Sequence, residues 1–112
     1  MDCADRIAVL ASERTLEPVR ALAQPGAPAA ATVRARLERR RLDVTLRRSA
    51  PDGERLPAYG WEIREVEAGG RPTPHGLELR CPPSSAEATD DPEDAYWVAL
   101  EAAQAGLAAA SV

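Results

Sequence analysis

From Leu42 to Arg47 apolar and polar positions alternate strictly, with Leu42, Val44 and Leu46 set against Asp43, Thr45 and Arg47. That period of two is the mark of a strand with one face in water. It predicts two further strands, over Tyr59 to Val66 with Trp61 and Ile63 inward, and over Gly76 to Cys81 with Leu77, Leu79 and Cys81 inward. "SAPDGER" is the turn after the first strand, and "EAGGRPTPH" is a longer loop between the other two.

Elsewhere the spacing is helical. Residues 4–13 carry Ile7, Leu10 and Ala11 on one side with Val9 beside them, which predicts a short helix, a buried strand over "RIAVLA" being the alternative. A second helix follows over "LEPVRALAQ", with Leu16, Val19, Leu22 and Ala23 aligned, Thr15 as cap and Pro18 in the first turn. "PGAP" stops it. Ala30, Val33 and Leu37 then predict a third helix from Ala29 to Arg41, with Thr32, Ala35, Arg36 and Arg39 projecting outward. The last helix spans 92–109: Asp91 caps it, Pro92 suits its first position, and Glu93 and Asp94 sit at the positive end of its dipole. Tyr96, Leu100, Ala103 and Leu107 share its inner side, while Trp97 and Val98 lie at the margins of that stripe, placed to meet a partner.

These elements predict an α+β fold with N-terminal helices, a three-stranded antiparallel meander and a long C-terminal helix. At 112 residues the expectation is one domain over 1–112. Within it "SSAEATDD", residues 84–91, reads as an acidic, solvated connector. Large apolar residues are few and phenylalanine is absent, so the core is thin and a homodimer or another protein is expected to supply contact area. No apolar run approaches the ~20 residues of a membrane span. "MDCADRIAVLASER" opens with acids where an export signal carries positive charge, which predicts a cytoplasmic address.

Charge changes the picture at one place. "TVRARLERRRLDVTLRR", residues 32–48, sets seven arginines against Glu38 and Asp43 in a chain of net charge −4. Beyond Arg80 there is no basic residue but there are six acids, so the C-terminal segment is placed to shield the basic stretch or to mate with it across a dimer. All fourteen basic residues are arginine, lysine and asparagine are absent, and alanine, glycine and proline abound. That bias matches GC-rich bacterial coding, which accounts for arginines that have no special role.

The order helix, helix, turn, helix, strand, turn, strand over residues 4–66 resembles winged helix-turn-helix domains, with "ATVRARLERR" at the recognition helix and "RRSAPDGER" at the tip of the wing. The resemblance implies that Thr32, Arg36 and Arg39 face the major groove of DNA, where arginine makes paired hydrogen bonds to guanine. It also implies that Arg47, Arg48 and Arg55 reach phosphates, with Arg34 and Arg41 flanking the groove. A second resemblance runs through "GWEIREVEAGG", the third strand and "DPEDAYWVALEAA", which look like small bacterial sheet-plus-helix modules such as HicB-like antitoxin domains. It implies protein binding, with Trp97 and Val98 at the contact and Trp61 and Tyr96 serving the core as well.

Catalysis has little to work with. His75, the sole histidine, sits in "PTPHGL" with no orienting carboxylate beside it, and its pairing with Cys3, Cys81 or a serine has no local support. Glu62, Glu65 and Glu67 read as salt-bridging surface, and "AGGRP" lacks the spacing of a phosphate loop. A zinc site would be short of ligands, and the two cysteines read as free thiols. The expectation is therefore a non-enzymatic regulator without catalytic, cofactor or metal residues, binding DNA through the third helix and wing. The alternative is a protein-binding adaptor or antitoxin-like regulator that uses the sheet and the last helix.

Overall fold

The computed structural model describes residues 13–37, 39–49 and 57–110. Helix α1 spans Glu13–Ala21, strands β1 to β4 span Ala30–Leu37, Arg40–Arg48, Tyr59–Val66 and Glu78–Cys81, and helix α2 spans Pro92–Ala110. The strands form one antiparallel sheet in the order β1-β2-β3-β4, so each pairs with its neighbour in sequence. The fold is α+β, with four strands where three were expected.

The additional strand is the main correction. Residues 30–37, expected within a helix running from Ala29 to Arg41, form β1. Val33, Ala35 and Leu37 are buried, while Thr32, Arg34 and Arg36 are exposed between them. Val33 and Leu37 satisfy both a helical and a period-two reading. Pairing with β2 from Ala30↔Arg47 to Leu37↔Arg40 decides between them, overriding the helix preference of the alanines. The segment that the winged-helix resemblance assigns to a recognition helix is thus an edge strand, and Arg39 lies in the turn between β1 and β2.

Both helices lie on one face of the sheet. The core is built from Val33, Ala35 and Leu37 of β1, Leu42, Val44 and Leu46 of β2, and Tyr59, Trp61 and Ile63 of β3, packed under Leu16, Val19 and Leu22 and under Tyr96, Ala99, Leu100, Ala103 and Leu107. Leu42, Val44 and Leu46 are fully buried, each contributing about 1.5–3 kcal/mol of transfer free energy. The inward residues expected on β2 and β3 and along α2 are those observed.

Helix α2 begins as its sequence requires: the Asp94 N–H donates to Asp91 Oδ2 at 3.1 Å, capping the first turn ahead of Pro92. Helix α1 begins earlier than expected, at Glu13, so Thr15 lies within it and Pro18 is interior rather than in the first turn. Pro18 cannot donate to the carbonyl four residues back, and α1 ends soon after, at Ala21. Gly26 closes the following turns with φ at 78°, a left-handed conformation that glycine adopts at little cost. Arg20 ties the end of α1 to the start of α2 by donating from Nε and Nη2 to Glu93 at 3.1 and 3.2 Å.

The acidic connector is partly anchored. Thr89 exchanges backbone hydrogen bonds with Tyr59 at 2.7 and 3.2 Å, which attaches residues near 89 to the start of β3. The helix expected over residues 4–13 lies outside the described residues except for Glu13, as does most of "SAPDGER". Among the described residues no helix is long and apolar enough to cross a membrane.

Candidate interaction surface

Helices cover one face of the sheet; the other is built from the polar half of each alternation. Register places Thr32, Thr45, Glu62 and Arg80 in one row across the four strands, and Arg34, Asp43, Arg64 and Glu78 in the next. Arg36 and Arg41 stand opposite each other in a third row, beside Val66. Ala30, Arg47 and Gly60 form the row at the other end. Six arginines and three carboxylates share this face.

Most of the charges are matched across strands. Arg34 Nε donates to Asp43 Oδ1 at 3.0 Å, and both Nε and Nη2 of Arg47 donate to Glu62 Oε2 at 3.2 Å. Arg64 Nη2 lies 3.5 Å from Glu78 Oε1, and the hydroxyls of Thr32 and Thr45 share a hydrogen bond of 2.9 Å. Opposite-charge and hydroxyl pairs across strands are worth about 0.2–1 kcal/mol each, so the ladder is held without being locked.

Loops wall this face at both ends. At Gly60 the chain leaving β4 passes so close that a Cβ there would collide with the Cys81 carbonyl oxygen and the backbone of Pro82 and Pro83. At the opposite end Val66 is buried although it occupies an outward register position, and the β3–β4 loop bridges back to it through Pro72. Gly70, with φ at 88°, lies against the Arg34 guanidinium. Between these walls is a shallow trough of about 400 Å³ lined by Thr32, Thr45, Glu62, Arg64, Glu78 and Arg80.

The arginines of the basic stretch therefore divide into groups. Arg34 and Arg47 are paired on the open face, and Arg40 donates to Glu65 Oε1 at 3.0 Å. Glu65, whose side chain is 11% exposed, also accepts the Leu77 N–H at 3.0 Å and so anchors the entry to β4. Arg48, expected at a phosphate, points the other way: it shares parity with Leu42, Val44 and Leu46. Its Nη1 and Nη2 donate to the carbonyls of Leu22 at 3.4 Å and Ala27 at 3.1 Å, satisfying backbone acceptors just after α1. Arg55 lies outside the described residues. Arg36, Arg39 and Arg41 remain around the β1–β2 turn with no ion pair among the described residues.

Trp97 and Val98 sit on α2. Val98 is 39% exposed, the one exposed large apolar side chain among the described residues. Trp97 is half-buried, with its ring edge-on to Tyr96 at 5.4 Å. The Arg20 guanidinium chiefly, and the Trp97 side chain to a smaller degree, hold the Glu93 carboxyl below its ordinary range against a weaker opposing effect of burial. Trp97 is thus fixed within the fold, and Val98 carries the exposed apolar surface beside it. His75 is exposed in a turn with φ at 57°.

Glu62 and Glu65, expected as salt-bridging surface, do form ion pairs, with Arg47 and Arg40, but which arginine meets which carboxylate was missed for these and for Arg34 and Arg64, since register fixes the partners and leaves no local signal. Comparison with known protein families, curated proteins and solved structures finds no match to this chain.

Proposed function

We propose that this chain is a non-enzymatic adaptor that binds another protein through the uncovered side of its sheet, with the exposed margin of α2 as a secondary contact. The observation that carries this reading is the open face, where Arg34, Arg47 and Arg64 are already paired with carboxylates on neighbouring strands. Arginines already engaged with neighbouring carboxylates make poor phosphate ligands, because each must give up a partner before it can release counterions from a nucleic acid. A half-neutralised surface rich in arginine shares with protein interfaces their enrichment in that residue and their polar rim. Such a surface fixes the orientation of a partner through complementary charges.

One observation favours the DNA-binding reading as a second possibility: Arg36, Arg39 and Arg41 gather around the β1–β2 turn at one end of the sheet, with no ion pair among the described residues to compete with a phosphate. Three phosphate contacts at that site would give a slope of log affinity against log salt of about −2.7.

Purification of the tagged chain from its source organism, with and without nuclease, separates the two. The adaptor reading expects a protein partner that survives nuclease and is lost when Glu62 and Glu78 are both replaced by arginine. A chain that retains only nucleic acid, or whose association with duplex DNA falls steeply with salt and vanishes in Arg36→Ala/Arg41→Ala, would overturn it.

A further inference from the structure

Granting the protein-binding reading, we propose that β1 is a docking edge to which an extended, acidic segment of the partner adds as a fifth strand. The Arg48 N–H donates to the Ala29 carbonyl at 2.8 Å, which fixes the phase of the β1–β2 ladder. In an antiparallel pair, residues alternate between those that exchange ladder bonds and those that do not. With that phase, Ala31, Val33, Ala35 and Leu37 bond to β2, while Thr32, Arg34 and Arg36 turn their N–H and C=O groups outward. No described residue pairs with that outer edge, since the sheet ends at β1.

The two edges of the sheet differ. β4 has four residues and runs directly into Pro82 and Pro83, which shortens and blunts it. β1 has eight residues and no proline. Its uncovered side chains decide what can pair with it. Thr32, Arg34 and Arg36 all lie on the open face, and Arg36 stands opposite Arg41, a like-charged pair in the closer, non-bonded kind of position. An incoming strand carrying carboxylates on that face would supply Arg36 with the counterion it lacks within the sheet.

The same arrangement argues against a second copy as occupant. A two-fold antiparallel pairing of β1 with itself through these outward groups, centred on Arg34, sets Arg34 against its own copy and puts no carboxylate near Arg36. The charge that discourages self-association thus selects an acidic strand.

The test uses the whole chain and a capped peptide of the length of β1 that alternates Glu with Val. Amide hydrogen exchange should slow at least about tenfold at Thr32, Arg34 and Arg36 when the peptide is added, with little change at Val33 and Ala35, already bonded to β2. The same peptide with Lys in place of Glu should give no protection. Thr32→Pro removes one outward donor without touching the β1–β2 ladder and should abolish protection; circular dichroism shows whether the variant is folded. Arg36→Glu, which leaves the backbone unchanged, should weaken the peptide about tenfold or more.

Absence of protection in the wild-type chain, or equal binding by both peptides, would overturn the proposal. So would protection that rises with protein concentration alone, the sign of self-pairing, or duplex DNA protecting the same amides where the peptide does not. Failure here stays distinct from failure of the adaptor reading: a nuclease-resistant partner retained by folded Thr32→Pro would leave the adaptor standing and remove only the strand-addition mode.

Discussion

Tyr96 is fully buried under the sheet, and its hydroxyl has no hydrogen-bond partner among the described residues. Tyr96→Phe removes that hydroxyl and keeps the ring, its edge-on contact with Trp97 at 5.4 Å and its place on α2. A buried hydroxyl stripped of water and left unpaired costs about 1–3 kcal/mol, whereas a satisfied one returns about 1 kcal/mol on average. The ring stays in place, so no cavity term enters beyond the volume of one oxygen. The variant should therefore be more stable than the wild type by about 1 kcal/mol, raising the melting temperature by roughly 4 °C for a domain of this size. Urea denaturation is the direct assay: the midpoint should move up with an unchanged slope. The same burial raises the Tyr96 phenol above its ordinary value of 10.0. A group whose folded value is raised contributes stability below its unfolded value and loses it as pH climbs through the folded one. Wild-type stability should therefore decline above pH 10, and Tyr96→Phe should flatten that decline. A loss of 1 kcal/mol or more at neutral pH would refute the reasoning, since it would mean that the hydroxyl is bonded, for instance to a trapped water.

Two further outcomes follow from the fold. Gly60→Ala drives a methyl into the backbone at Cys81 to Pro83, and should lower stability by about 1–3 kcal/mol in the same urea assay; a neutral result would show that the chain leaving β4 yields freely. Glu93, held below the carboxylate value of 4.5 by Arg20, contributes stability that is present above that value and is lost as pH falls through the lower, folded one. Glu93→Gln should flatten the acid limb of the stability–pH profile by less than about 1 kcal/mol, because the pair is largely solvated, and an unchanged acid limb would mean that the pair contributes nothing.

Where sequence and structure agree, a single period was available to read. Leu42, Val44 and Leu46 could be a strand and nothing else, and Asp91-Pro92 announced the start of α2. The segment 29–41 carried two periods at once. Ala30, Val33 and Leu37 spaced a helix, while Val33, Ala35 and Leu37 alternated with Thr32, Arg34 and Arg36; alanine, a strong helix former, weighted the wrong one, and only pairing with β2 resolved it. The orientation of Arg48 was legible, because it continues the even-numbered, inward series of β2. Its place at a wing implied outward contacts that this parity contradicts. The pairing of Arg47 with Glu62 was not legible, because partners fifteen residues apart become neighbours only once β2 and β3 are in register. Nor was the trough, whose lining side chains come from all four strands and meet only once these are in register.

The meander itself has a consequence for how the protein comes into being. Because β1 to β4 each join their immediate successor, the sheet can zip together hairpin by hairpin as the polypeptide leaves the ribosome, without waiting for distant segments. The lid over β2 and β3, however, is largely α2, which is synthesised after all four strands. During translation the sheet therefore passes through an interval in which only α1 shields its oily side, and the speed with which residues 92–110 dock sets how long the nascent protein is prone to aggregate or depends on a chaperone.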